Sequence, residues 1–156
     1  MKVSFALPFA CLLIVCQPTL AEGTKTSIDT EISVISKNGR YPIFDFATKL
    51  PQGMKFQITV VNPTVINELG HVAYVAQSTG TVQKDGHLKL GPFSDDKKQV
   101  PAGKYKLTIG SAGYFLQPSN VKSVIGKNGV NLKNLPNTEE YMGETSVKAE
   151  IWTDIQ

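Results

Sequence analysis

The sequence predicts an all-β chain, an antiparallel β-sandwich of about seven or eight short strands with one short helix near residues 119–125. Three observations carry that prediction. Apolar and polar residues alternate with period two in stretch after stretch, most clearly over 54–62 and 104–109. Turn chemistry built on Pro, Gly and Asn recurs roughly every ten residues. Apolar residues fall at helical spacing only around Val121, Val124 and Ile125. Many short strands with regular turns point to a sandwich of immunoglobulin-like type. A small closed barrel is the alternative, because periodicity does not separate closing one sheet from stacking two.

Residues 1–21 stand apart from this pattern. Met1-Lys2 is a short basic start, 3–15 is almost wholly apolar, and Gln17-Pro-Thr-Leu-Ala21 adds a polar break and a small residue. That is the layout of a secretory signal peptide cut between Ala21 and Glu22. The apolar run of ~13 residues falls short of the about 20 that span a bilayer. Cys11 and Cys16 both lie in this segment, and neither has a leucine and small residue placed as a lipidated cysteine requires. The expected mature chain, 22–156, therefore has no cysteine, which excludes disulfides, thiol nucleophiles and cysteine-held metals.

A mature chain of 135 residues suits a single domain with one packed core. Without Lys2 the sixteen basic residues become fifteen against thirteen acidic ones, a net charge of +2. They are scattered along the chain, and this pattern suggests neither nucleic acid nor an anionic membrane face as partner. The expected location is the periplasm or the exterior of a bacterial cell.

Taken in order, 22–27 is a polar leader and 28–36 a first strand. Lys37-Asn-Gly-Arg40 supplies a turn, and 41–47 resumes a strand with Pro42 at its start. Leu50-Pro-Gln-Gly53 turns into the strand 54–62, and 62–70 reads as a long loop. Residues 71–77 make a strand with Val72, Tyr74 and Ala76 inward. Residues 81–84 and 87–90 form a hairpin about Asp85-Gly86. Val100-Pro-Ala-Gly103 turns into the strand on which the others are assembled, with Tyr105, Leu107 and Ile109 on one face and Lys104, Lys106 and Thr108 on the other. Gly110-Ser-Ala-Gly113 reads as a flexible loop, and Gln117-Pro-Ser-Asn120 starts the helix that Gly126 stops. A connection over 127–144 follows, pinned by Val130, Leu132 and Leu135, and 145–152 is the last strand.

Four phrases, Leu50-Pro-Gln-Gly-Met-Lys-Phe56, Gly91-Pro-Phe-Ser94, Val100-Pro-Ala-Gly-Lys-Tyr105 and Gln117-Pro-Ser-Asn-Val121 with Ile125-Gly126, occur in that order. Together they resemble a pattern of uncharacterised bacterial exported β-sandwich proteins. The Pro-x-Gly-x-Tyr element is also similar to the last strands of transthyretin-like and carboxypeptidase-regulatory-like modules. The resemblance spans roughly 43–132 and rests on turn-makers. It implies a sandwich with a binding or accessory role and brings across no catalytic residue.

The residues offer little catalytic chemistry. His71 and His87, joined by Glu68 or Asp85, would have to meet in space to hold a metal, and strand-end histidines are the plainer reading. No serine lies in a Gly-x-Ser-x-Gly elbow, and the adjacent pairs Asp95-Asp96 and Glu139-Glu140 point to opposite sides of an extended chain. Aromatic residues are more informative. Phe44, Phe46, Phe56 and Tyr105 suit the core, whereas Tyr114, Phe115, Tyr141 and Trp152 form a candidate contact surface, with Trp152 on the polar face of its strand. The expectation is an exported, non-catalytic binding or accessory protein with a protein partner in the cell envelope, no metal and no cofactor. The alternatives are a small metal-dependent or hydrolytic enzyme using His71 or His87, and a self-associating envelope component.

Overall fold

The computed structural model describes residues 33–36, 39–66, 68–94 and 99–156. The signal peptide read over 1–21, the leader, the first half of strand 28–36, Lys37, Asn38 and the Asp95-Asp96 pair lie outside the described residues. In chain order the strands are β1 (Ser33–Ser36), β2 (Phe44–Ala47), β3 (Lys55–Ile66), β4 (Val72–Thr81), β5 (His87–Leu90), β6 (Gly103–Ser111), β7 (Thr138–Tyr141) and β8 (Glu144–Ile155). Helix α1 (Ser119–Ile125) lies between 3-10 turns at Tyr114–Leu116 and Lys127–Leu132. The strands form two antiparallel sheets, ordered β1-β2-β5 and β4-β3-β6-β8-β7. Among the described residues no helix is long and apolar enough to cross a membrane.

β6 lies in the middle of the larger sheet. Its alternation is realised directly: Tyr105, Leu107 and Ile109 are buried, while Lys104 is exposed and Lys106 and Thr108 are half-buried. Phe56, Ile58 and Val60 of β3 continue the inward row on one side of it, and Val147 of β8 does so on the other. Phe44, Phe46, Leu88 and Leu90 come from the smaller sheet, and all these side chains join one core. The Tyr105 hydroxyl donates to the carbonyl of Pro101, four residues upstream. The ring can thus be buried without orphaning its polar end.

The end of the core beside Ser111 is closed by the segment after β6. Gln117 is almost wholly buried, and its side-chain amide does the work of a neighbouring strand. Its Oε1 accepts the Lys55 N–H at 2.9 Å, and its Nε2 donates to the carbonyls of Lys55 at 3.1 Å and Ala112 at 2.8 Å. One side chain thereby satisfies backbone groups where the ladder has run out. α1 then lays Val121 and Ile125 into the core and leaves Val124 exposed. Gly126 ends the helix at φ 75°, a conformation that suits glycine.

Several expectations are corrected. The 62–70 loop is largely strand: β3 continues to Ile66, with an irregular stretch after Asn62. There Asn62 Oδ1 accepts from the N–H and hydroxyl of Thr64 at 3.0 and 2.7 Å, across the proline that has no N–H to offer. The hairpin expected over 81–90 is absent. The Asp85-Gly86 turn is present, but β4 belongs to the larger sheet and β5 pairs with β2 in the smaller. Val82 causes the switch: it is buried and exchanges backbone hydrogen bonds with the 53–54 turn, Gly53 N to Val82 O at 2.8 Å and Val82 N to Met54 O at 3.0 Å.

Gly110 and Ser111, expected in a loop, belong to β6, where the Ser111 hydroxyl accepts the Val147 N–H. The connection expected over 127–144 contains a strand, β7, joined to β8 by a two-residue turn in which Met142 and Gly143 have φ 50° and 79°. Two positive φ values in succession make the hairpin turn whose twist matches its strands. Of the three residues expected to pin this segment, Leu132 is buried, Leu135 is half-buried and Val130 is exposed.

Gln117→Ala would strip the Lys55 N–H and the Ala112 carbonyl of their side-chain partner, the Lys55 carbonyl keeping the Ala112 N–H at 2.9 Å, and we expect a loss of about 2 kcal/mol by chemical denaturation. Gln117→Glu should be worse at neutral pH, because a carboxylate oxygen would face two carbonyls. That arrangement raises the pKa of the introduced acid, so stability should recover as pH falls and it protonates. Denaturation midpoints at pH 7 and pH 4.5 check both.

Candidate contact surfaces

The four aromatic residues singled out in the sequence do not form one surface. Tyr114 and Phe115 occupy the 3-10 turn after β6, their rings 5.8 Å apart edge to face. Tyr141 reaches the same place from β7. It pairs in register with Glu144, whose Oε2 accepts the Tyr114 N–H at 3.3 Å, so the two reversals lie side by side. Lys122 braces the first from below, its Nζ donating to the Phe115 carbonyl at 3.0 Å and lying 5.3 Å from the Tyr114 ring. Two residues the sequence reading passed over complete this end. Phe115, Leu116, Tyr141 and Met142 are 77, 66, 71 and 86 % exposed, whereas Tyr114 is half-buried. Met142 was missed because a methionine at positive φ leaves no turn signature in the sequence.

Trp152 sits elsewhere, eight residues beyond Glu144 along β8. At ~3.4 Å per residue that is about 27 Å. It lies on the outer face of the sheet opposite Lys106, half exposed at 51 %, with the Lys104 ammonium 5.5 Å from its ring. This outer face is polar and cross-linked: Lys106 pairs with Glu150 at 2.9 Å and Gln57 Nε2 bonds Gln77 Oε1 at 3.1 Å.

The edge beside Trp152 is distinctive. β7 covers β8 only from Glu144 to Val147, and the Lys148 N–H makes a last bond to Asn137 O at 2.7 Å. Beyond it β8 runs on to Ile155, paired with β6 on one side and with no described strand on the other. Since backbone groups alternate sides along a strand, Glu150 and Trp152 turn theirs the way Lys148 does, toward that open edge. The stretch has no proline and no bulge, and its register with β6 is unbroken from Lys148 to Ile155. Edges are ordinarily blunted by such irregularities. Lys148 marks its beginning, its ammonium 2.7 Å from Glu139 Oε2. The hydrogen bond to Glu139 first, then the charges of Glu139 and Glu150, outweigh desolvation and raise its pKa, so this cation persists at every pH up to the usual lysine range.

The histidines are far apart in the fold. His71 immediately precedes β4, and His87 opens β5 beyond the other end of that ten-residue strand. His87 has an acid beside it: Nδ1 lies 2.9 Å from Asp45 Oδ1, and Lys89 Nζ is 3.6 Å from Asp45 Oδ2. The pair meets the distance that a histidine-based enzyme would require. Yet both side chains reach Asp45 across the β2–β5 ladder, so the buried carboxylate serves as a cross-strand tie. Among the described residues no group of three or more metal-binding side chains comes together.

Asp45→Asn should loosen the β2–β5 pair by about 1 kcal/mol, seen as a fall of about 3–4 °C in the unfolding midpoint at pH 7. A fall of that size that persists when His87 and Lys89 are both replaced by Gln would show that the tie is not the cause.

Compared with known proteins, the chain matches no family model, no curated protein and no solved structure.

Proposed function

We propose that this chain is an exported, non-catalytic binding protein of immunoglobulin-like β-sandwich type, to whose open β8 edge a protein of the cell envelope adds a strand beside Trp152. The observation that carries the reading is the regular run of β8 past Lys148, where no described strand lies beside Glu150 and Trp152 and the tryptophan is half exposed. Strand addition draws affinity from backbone hydrogen bonds and specificity from alternate side chains. Here those are Glu150 and Trp152, and an exposed aromatic anchor is the common centre of such contacts.

The sandwich part of the reading is supported by two sheets sharing one core and by the Tyr105 hydroxyl on the carbonyl of Pro101, the tyrosine-corner arrangement of Greek-key sandwiches. Export is supported by the leader pattern of 1–21 and by a following chain without cysteine, stabilised by its core alone.

The test is capture from an envelope extract of the source cells, using mature 22–156 and three variants. Trp152→Ala removes the side chain, Trp152→Pro also removes the N–H that faces the open edge, and Trp152→Phe keeps the edge and an aromatic ring. A proline is tolerated there because that N–H is not used by the β6 ladder. We expect one partner, bound saturably, weakened about tenfold by Trp152→Ala, lost with Trp152→Pro and kept by Trp152→Phe. A partner held equally by wild type and Trp152→Pro would rule the edge out.

A further inference from the structure

The end of the larger sheet remote from Trp152 carries its own pattern. The 3-10 turn and the β7–β8 turn are both convex, and they project Phe115 and Leu116 from one tip and Tyr141 and Met142 from the other. Beneath them the chain is fixed: the buried Gln117 amide, the Glu144 carboxylate and the Lys122 ammonium each bind backbone of this segment. Well-anchored residues with most of their apolar surface in water are unusual on a soluble face and mark a site of contact.

The charges around the tips become local only in the fold. Lys122 lies at the base of the first tip, and Lys127 and Lys133 line a shallow cleft of about 350 Å³ beside Gly143 of the second. Glu140 is held by Lys133 at 3.1 Å, and Glu139 by Lys148 at 2.7 Å. Among the described residues, Glu140 shares the cleft with Lys127 but is paired with Lys133, and the Glu144 carboxylate is turned to the Tyr114 N–H.

We propose that this end docks on an anionic lipid surface, a contact separate from the β8 edge and independent of it. Phe115, Leu116 and Met142 reach the boundary between headgroups and acyl chains, where each buried methylene contributes about 0.8 kcal/mol. The Tyr141 ring rests at headgroup depth with its hydroxyl in water. Lys122 and Lys127 meet lipid phosphates, an attraction of about 1 kcal/mol for each lysine near the surface. The shape favours lipid over protein. The exposed apolar surface here is four side chains on two neighbouring turns, whereas a stable protein interface enlists roughly 20–30 residues on each side. The cleft beside the second turn is lined by Lys127, Lys133 and Glu140 together with Asn128, Val130, Gly143 and Thr145, and it is shallow. A fluid bilayer accepts separate projections without a matching surface.

The experiment is vesicle flotation of mature 22–156 with phosphatidylcholine alone and with seven parts phosphatidylcholine to three of phosphatidylglycerol. We expect binding to the mixed vesicles at least tenfold above that to neutral ones, weakened by salt. Phe115→Ser with Met142→Ser should lower it at least tenfold, and Lys127→Glu should lower it without changing the unfolding midpoint. Trp152→Pro should float like wild type, which separates this proposal from the edge reading. No binding to either vesicle, equal binding to both, or binding that survives the double serine variant overturns it. So does an envelope protein lost with the double serine variant when vesicles are not bound, because the tips would then belong to that protein.

Discussion

The hydrogen bond from the Tyr105 hydroxyl to the Pro101 carbonyl fixes the corner from which the larger sheet is measured. It lets the broadest fully buried ring of β6 lie in the core while the chain turns sharply into the strand. With that corner set, Gly103 faces Ile155 and Gly110 faces Lys148 in unbroken register, and β3 pairs along the other side. A one-residue slip would turn Leu107 and Ile109 outward and Lys106 inward, so the register is held by burial as well as by hydrogen bonds. The asymmetry at the sheet's edge follows from this. β7 is only four residues long and β8 twelve, so among the described strands a β8 held in full register with β6 runs on past β7.

Gln117 plays the corresponding part at the opposite end. Strand pairing stops near Lys55 and Ala112, and a side-chain amide, which carries the same donor and acceptor as a peptide group, takes over. The exposed tip just before it is therefore not a loosely tethered loop. Its base is buried on one side by Gln117 and fastened on the other to Glu144 and Lys122.

Much of this was legible in the sequence because burial and local period agree. Tyr105, Leu107 and Ile109, or Phe56, Ile58 and Val60, alternate in the chain and are buried in the fold. The helix start after Gln117 and its stop at Gly126 are local chemistry and were equally plain. What escaped depends on partners distant in sequence. Nothing near Val82 says that it bonds to Gly53 and Met54 and so sends β5 to the other sheet. Asn62-Pro63 signals a turn, yet pairing with β4 resumes at Ile66. The candidate surface was half legible for the same reason. Exposure of Phe115 and Tyr141 could be guessed from irregular surroundings, but the 144–152 spacing that parts them from Trp152 is a property of β8 as a folded strand.

The length of β8 also has a mechanical meaning. A strand laced to β6 over eight residue pairs is stiff, and the turn at Met142-Gly143 sits at one end of it while Trp152 lies near the other. Whatever grips the turn holds the tryptophan at a set standoff of about 31 Å, roughly the thickness of a bilayer's hydrocarbon core. Such a strand acts as a gauge rod: lengthening or shortening β8 and β6 together by two residues would preserve every inward-facing side chain and change the height by ~7 Å.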